Sequence, residues 1–167
     1  METENLNSMP ETTAPSGLPT VKIFGVGNAG GTLLGGLATP EFAGVTFAAI
    51  NTDAAALAAV PATMKIHLET KLLRGLGSGG DPDRGRALAE EQFSTLKTAC
   101  AGAEVVFIIA GLGGGAGSGI SPVLARAARE AGALVLAFVT KPFECEGNRR
   151  EEQGVAPPLA ASGRALP

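Results

Sequence analysis

Apolar residues fall in short dense runs separated by glycine, proline and small polar residues, and the runs alternate with stretches of helical composition. Residues 21–26 (VKIFGV) predict a first strand. Residues 28–38 predict a short helix, broken before Pro40. Residues 45–50 predict a second strand, which ends in Asn51, Thr52 and Asp53, a natural N-cap for an alanine-rich helix to about residue 59. A weaker third strand is expected over 64–68. A glycine loop at 74–80 leads to Asp81 as cap and Pro82 as first residue of a helix over 82–101. Residues 104–110 (EVVFIIA) make the strongest strand, and a loop over 111–117 and a helix over 118–131 follow it. Residues 133–140 (ALVLAFVT) predict another buried strand. Strands apolar on both faces, alternating with helices, specify an α/β fold: a mostly parallel, Rossmann-like sheet with helices on both faces. Residues 1–20 are polar, with Pro10, Pro15 and Pro19, and read as a disordered tail. Residues 21–153 form the one domain, and 154–167, rich in proline and small residues, read as a second tail after a short helical start.

Composition narrows the picture. The chain is 45% hydrophobic and only 4% aromatic, without Trp or Tyr, so the core must be built from Ala, Val, Leu and Ile with helices close to the sheet. The net charge is −3 and no basic run is present, so nucleic acid is not an expected partner. Anion binding must then come from backbone N–H groups and helix ends. Cys100 and Cys145 supply neither a disulfide framework nor a metal-ligand spacing, and no metal-ligating set is expected. The start of the chain has no leader character and no stretch is apolar enough to span a bilayer, so a cytoplasmic protein without membrane insertion is expected.

The glycines carry the candidate chemistry. Gly25-x-Gly27-x-x-Gly30, with Asp53 further on, matches a dinucleotide fingerprint, which alone is no more than a tight strand-to-helix turn. Residues 111–119 (GLGGGAGSG) follow the strongest strand and enter a helix, where N–H groups and a positive dipole end can hold a phosphate. Each Gly in an element costs roughly 0.5–1 kcal/mol relative to Ala, so this density suggests a ligand that needs close backbone approach. With 77–80, three glycine loops converge on the carboxyl edge of the sheet, an arrangement suited to a triphosphate. The loop is not a Walker A motif, because no Lys follows the glycines. His67, the sole histidine, reads as structural, and no residue set reads as catalytic.

These residues resemble the tubulin/FtsZ family. The loop 111–119 is similar to the family signature GGGTGTG, with Ala116 and Ser118 where the family usually has Thr. Four more stretches agree in order and spacing: 23–31 (IFGVGNAGG), 49–54 (AINTDA), 74–82 (RGLGSGGDP) and 139–150 (VTKPFECEGNRR). The resemblance covers about 21–153. It implies that Asn28, Ala29, Gly30, Gly31 and Thr32 contact the phosphates and base side of a guanine nucleotide, and that Gly115, Ala116 and Gly117 cradle its phosphates. Gly79, Gly80 and Asp81 would lie near the γ-phosphate, Glu146 would accept from ribose hydroxyls, and Arg150 would line the site.

The same resemblance implies GTP or GDP as ligand, with Mg²⁺ held through the phosphates. It implies a relative of the filament-forming cell-division GTPase, acting in the cytoplasm at the division site. Subunits would associate head to tail, with copies of themselves or with full-length FtsZ-like subunits. In the family, hydrolysis needs an acidic loop from the neighbouring subunit, and that loop, the central helix and the second domain have no counterpart in this sequence. The expectation is therefore a nucleotide domain incomplete at its C-terminal end, which binds GTP weakly without turning it over alone. Two other readings stay open: an NAD-binding Rossmann oxidoreductase module resting on Gly25, Gly27, Gly30 and Asp53, and a fragment without function.

Overall fold

A computed structural model describes residues 17–69 and 78–154. The elements in chain order are β1 (Val21–Val26), α1 (Gly27–Leu37), a 3-10 turn (Pro40–Phe42), β2 (Thr46–Asn51), α2 (Ala54–Ala59) and β3 (Met64–His67). They continue with α3 (Pro82–Glu91), α4 (Phe93–Cys100), β4 (Val105–Gly111), α5 (Gly115–Glu130), β5 (Leu134–Thr140), a second 3-10 turn (Glu144–Glu146) and α6 (Asn148–Gly154). The strands form one five-stranded sheet, all parallel, in the order β3-β2-β1-β4-β5. β1 is central: Ile23 lies beside Phe47 of β2 on one side and Phe107 of β4 on the other.

Strand alternation divides the core. Ile23, Phe47, Ala49 and Ile109 face one side, under Leu34 of α1 and Leu57 of α2. Phe24, Val26, Ala48, Ile50, Val106 and Ile108 face the other, under α3, α4 and α5, where Leu88, Leu96, Ile120 and Leu124 meet them. Lys22 sits on that second face near its rim, where Nζ donates to the carbonyls of Ala99 and Ala101 at 2.8 Å each, closing the C-terminal end of α4. Thr20, just before β1, meets the residues that open β4: its N–H donates to Glu104 Oε2 and its carbonyl accepts from the N–H groups of Glu104 and Val105.

Three expectations change. The helix expected over 82–101 is two helices, because Gln92 leaves helical angles (φ −108°, ψ 28°) and its side-chain amide donates to the carbonyl of Glu69. The helix after the long glycine loop starts at Gly115, three residues before the expected Ser118, so Gly115 and Gly117 lie in its first turn. The strand expected to be buried over 133–140 is an exposed edge: Leu134 is 61% and Phe138 60% exposed. β5 is paired only with β4, and α1 covers β1, β2 and β4 without extending over it. Phe138 is covered in part by stacking on Phe107. Most of the loop 74–80, the N-terminal tail to residue 16 and the C-terminal tail from 155 lie outside the described residues. No described helix is long and apolar enough to cross a membrane.

Candidate functional site

The carboxyl ends of parallel strands point one way, and ligands of such sheets bind beyond them. Here that edge holds a cavity of about 520 Å³, inside the roughly 300–1,000 Å³ span of small-ligand pockets. Its walls come from the β1–α1 turn (Gly27, Asn28, Ala29), the end of β2 (Asn51, Thr52, Asp53), the turn before α3 (Ser78, Gly79, Gly80) and the 111–117 turn. Thr140 at the end of β5 and Lys141 and Pro142 after it, with Glu146 and Arg150, close the remaining side.

Four helices start at this edge, and their starts differ. Asp53 caps α2 by accepting from the N–H groups of Ala55 (2.9 Å) and Ala56 (3.1 Å). Asp81 caps α3 by accepting from Asp83 and Arg84. The residues preceding α1 and α5, Val26 and Gly114, make no side-chain cap. The first four N–H groups of a helix have no partner inside it, so α1 and α5 present free donors and a positive dipole end. Both starts line the cavity. Gly27 (φ +69°) makes the turn into α1, and Gly113 (φ +88°) the turn into α5. The lining holds two cations, Lys141 and Arg150, and two carboxylates, Asp53 and Glu146, so its charged side chains balance and attraction for an anion would have to come from the backbone.

Side chains tie the loops together. Asn51 Nδ2 donates to Asn28 Oδ1 at 2.7 Å, and Asn51 Oδ1 accepts from the N–H groups of Thr52 and Asp53. Ser78 N–H donates to Thr52 Oγ1 at 3.1 Å, joining the β2 end to the 78–80 turn. Ser118 Oγ accepts from Gly113 N–H at 2.9 Å and holds the turn against its own helix. The N–H of Phe143 and the guanidinium of Arg150 (2.7 Å) both donate to Glu146 and hold its carboxyl below the usual range. His67 Nε2 pairs with the Thr52 carbonyl outside the cavity, a structural role.

Of the residues singled out from sequence, Asn28, Ala29, Gly79, Gly80, Gly115, Ala116, Gly117, Glu146 and Arg150 line the cavity. Gly30, Gly31, Thr32 and Asp81 do not. A Cβ on Gly30 would strike the Ile109 carbonyl of β4, and one on Gly31 would lie 2.8 Å from Val60 at the end of α2, so Gly30 serves packing of α1 on the sheet and Gly31 packing of α1 on the α2 end. Thr32 Oγ1 donates back to the Asn28 carbonyl, and Asp81 is used as a cap. Lining residues given no role from the sequence include Asn51, Thr52, Ser78, Thr140, Lys141 and Pro142. All six lie within the family-like stretches 49–54, 74–82 and 139–150, and all but Ser78 stand at the ends of β2 and β5, which must reach this edge.

Glycine density has a packing explanation too. A Cβ on Gly85 or Gly119 would strike backbone across the α3–α5 contact, one on Gly117 would strike the Gly111 carbonyl, and one on Gly115 would lie 2.5 Å from Ser78 Oγ. Ligand approach therefore is not needed to explain them. Gly114 and Gly80 differ, because a Cβ on either meets nothing within 4 Å. Among the described residues, no group of three or more His, Cys, Asp or Glu side chains could hold a metal ion.

Comparison with known proteins gives one answer. A profile of the Tubulin/FtsZ family, GTPase domain, matches residues 20–156. The chain is 45% identical over 138 residues to a cell division protein FtsZ of Buchnera aphidicola, covering 81% of this chain and 36% of that protein. An FtsZ dimer structure from M. jannaschii superposes with a TM-score of 0.79 at 38% identity, covering 84% of this chain and 41% of that one. A GTPgS-bound protofilament of CetZ2 from Haloferax volcanii superposes with a TM-score of 0.73 at 32% identity, covering 81% and 43%. The chain thus spans about 36–43% of the length of these relatives.

Proposed function

The chain belongs to the tubulin/FtsZ family, and from that premise we propose that it is an FtsZ-like GTP-binding unit whose nucleotide lies in the cavity at the carboxyl edge of the sheet. The observation that carries the reading is the pair of uncapped helix starts, α1 and α5, opening into one cavity beside two helices that are capped. Free N–H groups of Gly115, Ala116 and Gly117 take the phosphates, since anions are favoured at such ends. Asn28 and Ala29 bring the α1 start to the same ligand, and Gly79 and Gly80 border its far phosphate. Glu146, ionised and oriented by Phe143 and Arg150, accepts from ribose hydroxyls.

Mg²⁺ would ride on phosphate oxygens and neutralise their charge, as this ion commonly does with few protein carboxylates. Hydrolysis by these 167 residues alone is not expected. The two acidic groups lining the cavity are occupied, Asp53 in capping α2 and Glu146 in its pair with Arg150, so neither is left to orient a water. Turnover, head-to-tail assembly and a role in division belong to this proposal only through an association that supplies such a group from a second subunit.

An NAD module is disfavoured by Asp53, whose carboxylate caps α2 rather than facing a ribose. Calorimetric titration with GTP, competition with NAD, and a phosphate-release assay test the proposal. GTP should bind, NAD should not displace it, and phosphate release should stay at background. Binding of NAD without GTP, or robust turnover by the isolated chain, would overturn it.

A further inference from the structure

Gln153 lies outside the cavity wall, at the end of α6, where that helix meets two different loops. In the amide orientation that satisfies its neighbours, Nε2 donates to the carbonyls of Gly80 and Gly113, each at 3.2 Å. One carbonyl belongs to the turn before α3 and the other to the turn before α5. Both glycines have positive φ, +78° and +88°. Without a Cβ, such a residue passes readily between backbone states, so its following peptide plane can flip. The peptide is planar and trans, so its C=O and its N–H point in opposite directions. Holding the Gly113 carbonyl toward α6 therefore turns the Gly114 N–H away from α6. A flip would present a carbonyl oxygen where a donor now stands.

The contact around Gln153 is tight. A Cβ on Gly154 would lie 2.6 Å from Pro142 Cδ, and one on Gly113 would lie 2.9 Å from the Arg150 carbonyl. Neither glycine has room for a Cβ, so α6 lies close against the Gly113 turn, within reach of the Gln153 amide.

We propose that Gln153 is a positioning residue of the nucleotide site, a single amide that ties the 78–80 turn, whose Asp81 N–H is already bonded to the Ser78 carbonyl, to the Gly113 peptide, so that the Gly114 N–H is presented to the phosphates. The inference rests on the GTP reading above. An amide NH₂ offers two donors, whereas a carboxylate offers none. Gln153→Met keeps the bulk without the donors, and Gln153→Glu sets a negative oxygen against two carbonyls.

The test is GTP titration of the full chain and its variants, together with the ¹⁵N–¹H resonance of Gly114 without nucleotide. Both variants should lose about tenfold in GTP affinity, the scale of two net hydrogen bonds. Their Gly114 amide should broaden or split, while circular dichroism stays that of the parent. An unchanged affinity with an unchanged Gly114 resonance would overturn the brace. Should either variant fail to fold, Gln153→Asn, one methylene shorter, reads the same two quantities. Should the parent chain bind no GTP, the function reading fails, yet the Gly114 resonance still decides whether Gln153 braces the loop.

Discussion

Helices α3 and α5 lie side by side and start at the same edge of the sheet, yet they begin in opposite ways. Asp81 occupies the first N–H groups of α3 and sets a carboxylate on its dipole. Gly114 offers no side chain at all, and the start of α5 opens into the cavity. α2 and α1 repeat the contrast, one capped by Asp53 and the other uncapped after Val26. A capped start has its first donors satisfied within the fold, while an uncapped start beside a cavity has not. On the proposed function, that alternation, more than the glycine count, sets the phosphates beside α1 and α5.

The largest expected effect comes from closing the α3–α5 approach. Gly119→Ala sets a methyl against the Pro82 carbonyl, and overpacking of this kind should destabilise by about 3 kcal/mol, read by denaturant unfolding. Next is conversion of α5 to the α3 type. Gly114 has extended angles (φ −111°, ψ 160°) and open space beyond, so Gly114→Asp should fold normally and gain a few tenths of a kcal/mol from its cap. The new carboxylate takes the phosphate's donors, and GTP affinity should fall at least about tenfold, or about 1.4 kcal/mol. A G114D chain that binds GTP as well as the parent would erase the functional distinction between the two starts. The reverse change, Asp81→Ala, should cost about 1 kcal/mol of stability, read by thermal unfolding.

Two pH effects away from the helix starts are smaller. Burial pushes the Cys100 thiol from 9.0 up to about 11, against a lesser opposing effect of Lys22. Its folded-state value is raised, so its contribution to stability is full below about pH 9 and is lost as pH rises toward 11. Cys100→Ala should flatten the fall in unfolding free energy over that window. The Glu146 carboxyl is held low by the Phe143 N–H and by Arg150, so the order of its turn should persist above the ordinary carboxylate range and be lost as pH falls below it. The Phe143 amide resonance, followed through an acid titration, reads that loss.

Much of this was legible in the sequence, for physical reasons. Strands β1, β2 and β4 are buried on both faces, so their apolar runs need no context. Asp53 and Asp81 declared themselves as caps because a cap is a local device. β5 was misread because an apolar run carries no record of its neighbours: paired on one side only, ALVLAFV is an exposed edge. The glycine loop follows β4 as expected but ends three residues early, and its density has a second cause, since Gly85, Gly117 and Gly119 are required by backbone contacts that exist only once the chain is folded. Gly30 and Gly31 sit in packing contacts, Thr32 bonds back to the Asn28 carbonyl of its own helix and Asp81 caps α3, contacts that likewise exist only in the folded chain. Gln153 gave no signal, because its partners lie in two loops distant along the chain.

Backbone amide shifts during a GTP titration test the central claim most directly. The resonances of Gly115, Ala116 and Gly117, at the uncapped start of α5, should move and saturate with GTP. Those of Asp83 and Arg84, already bonded to Asp81, should stay within the small shifts of a distant site. Movement confined to the α3 amides, or saturation by GTP with the α5 amides still, would contradict the account.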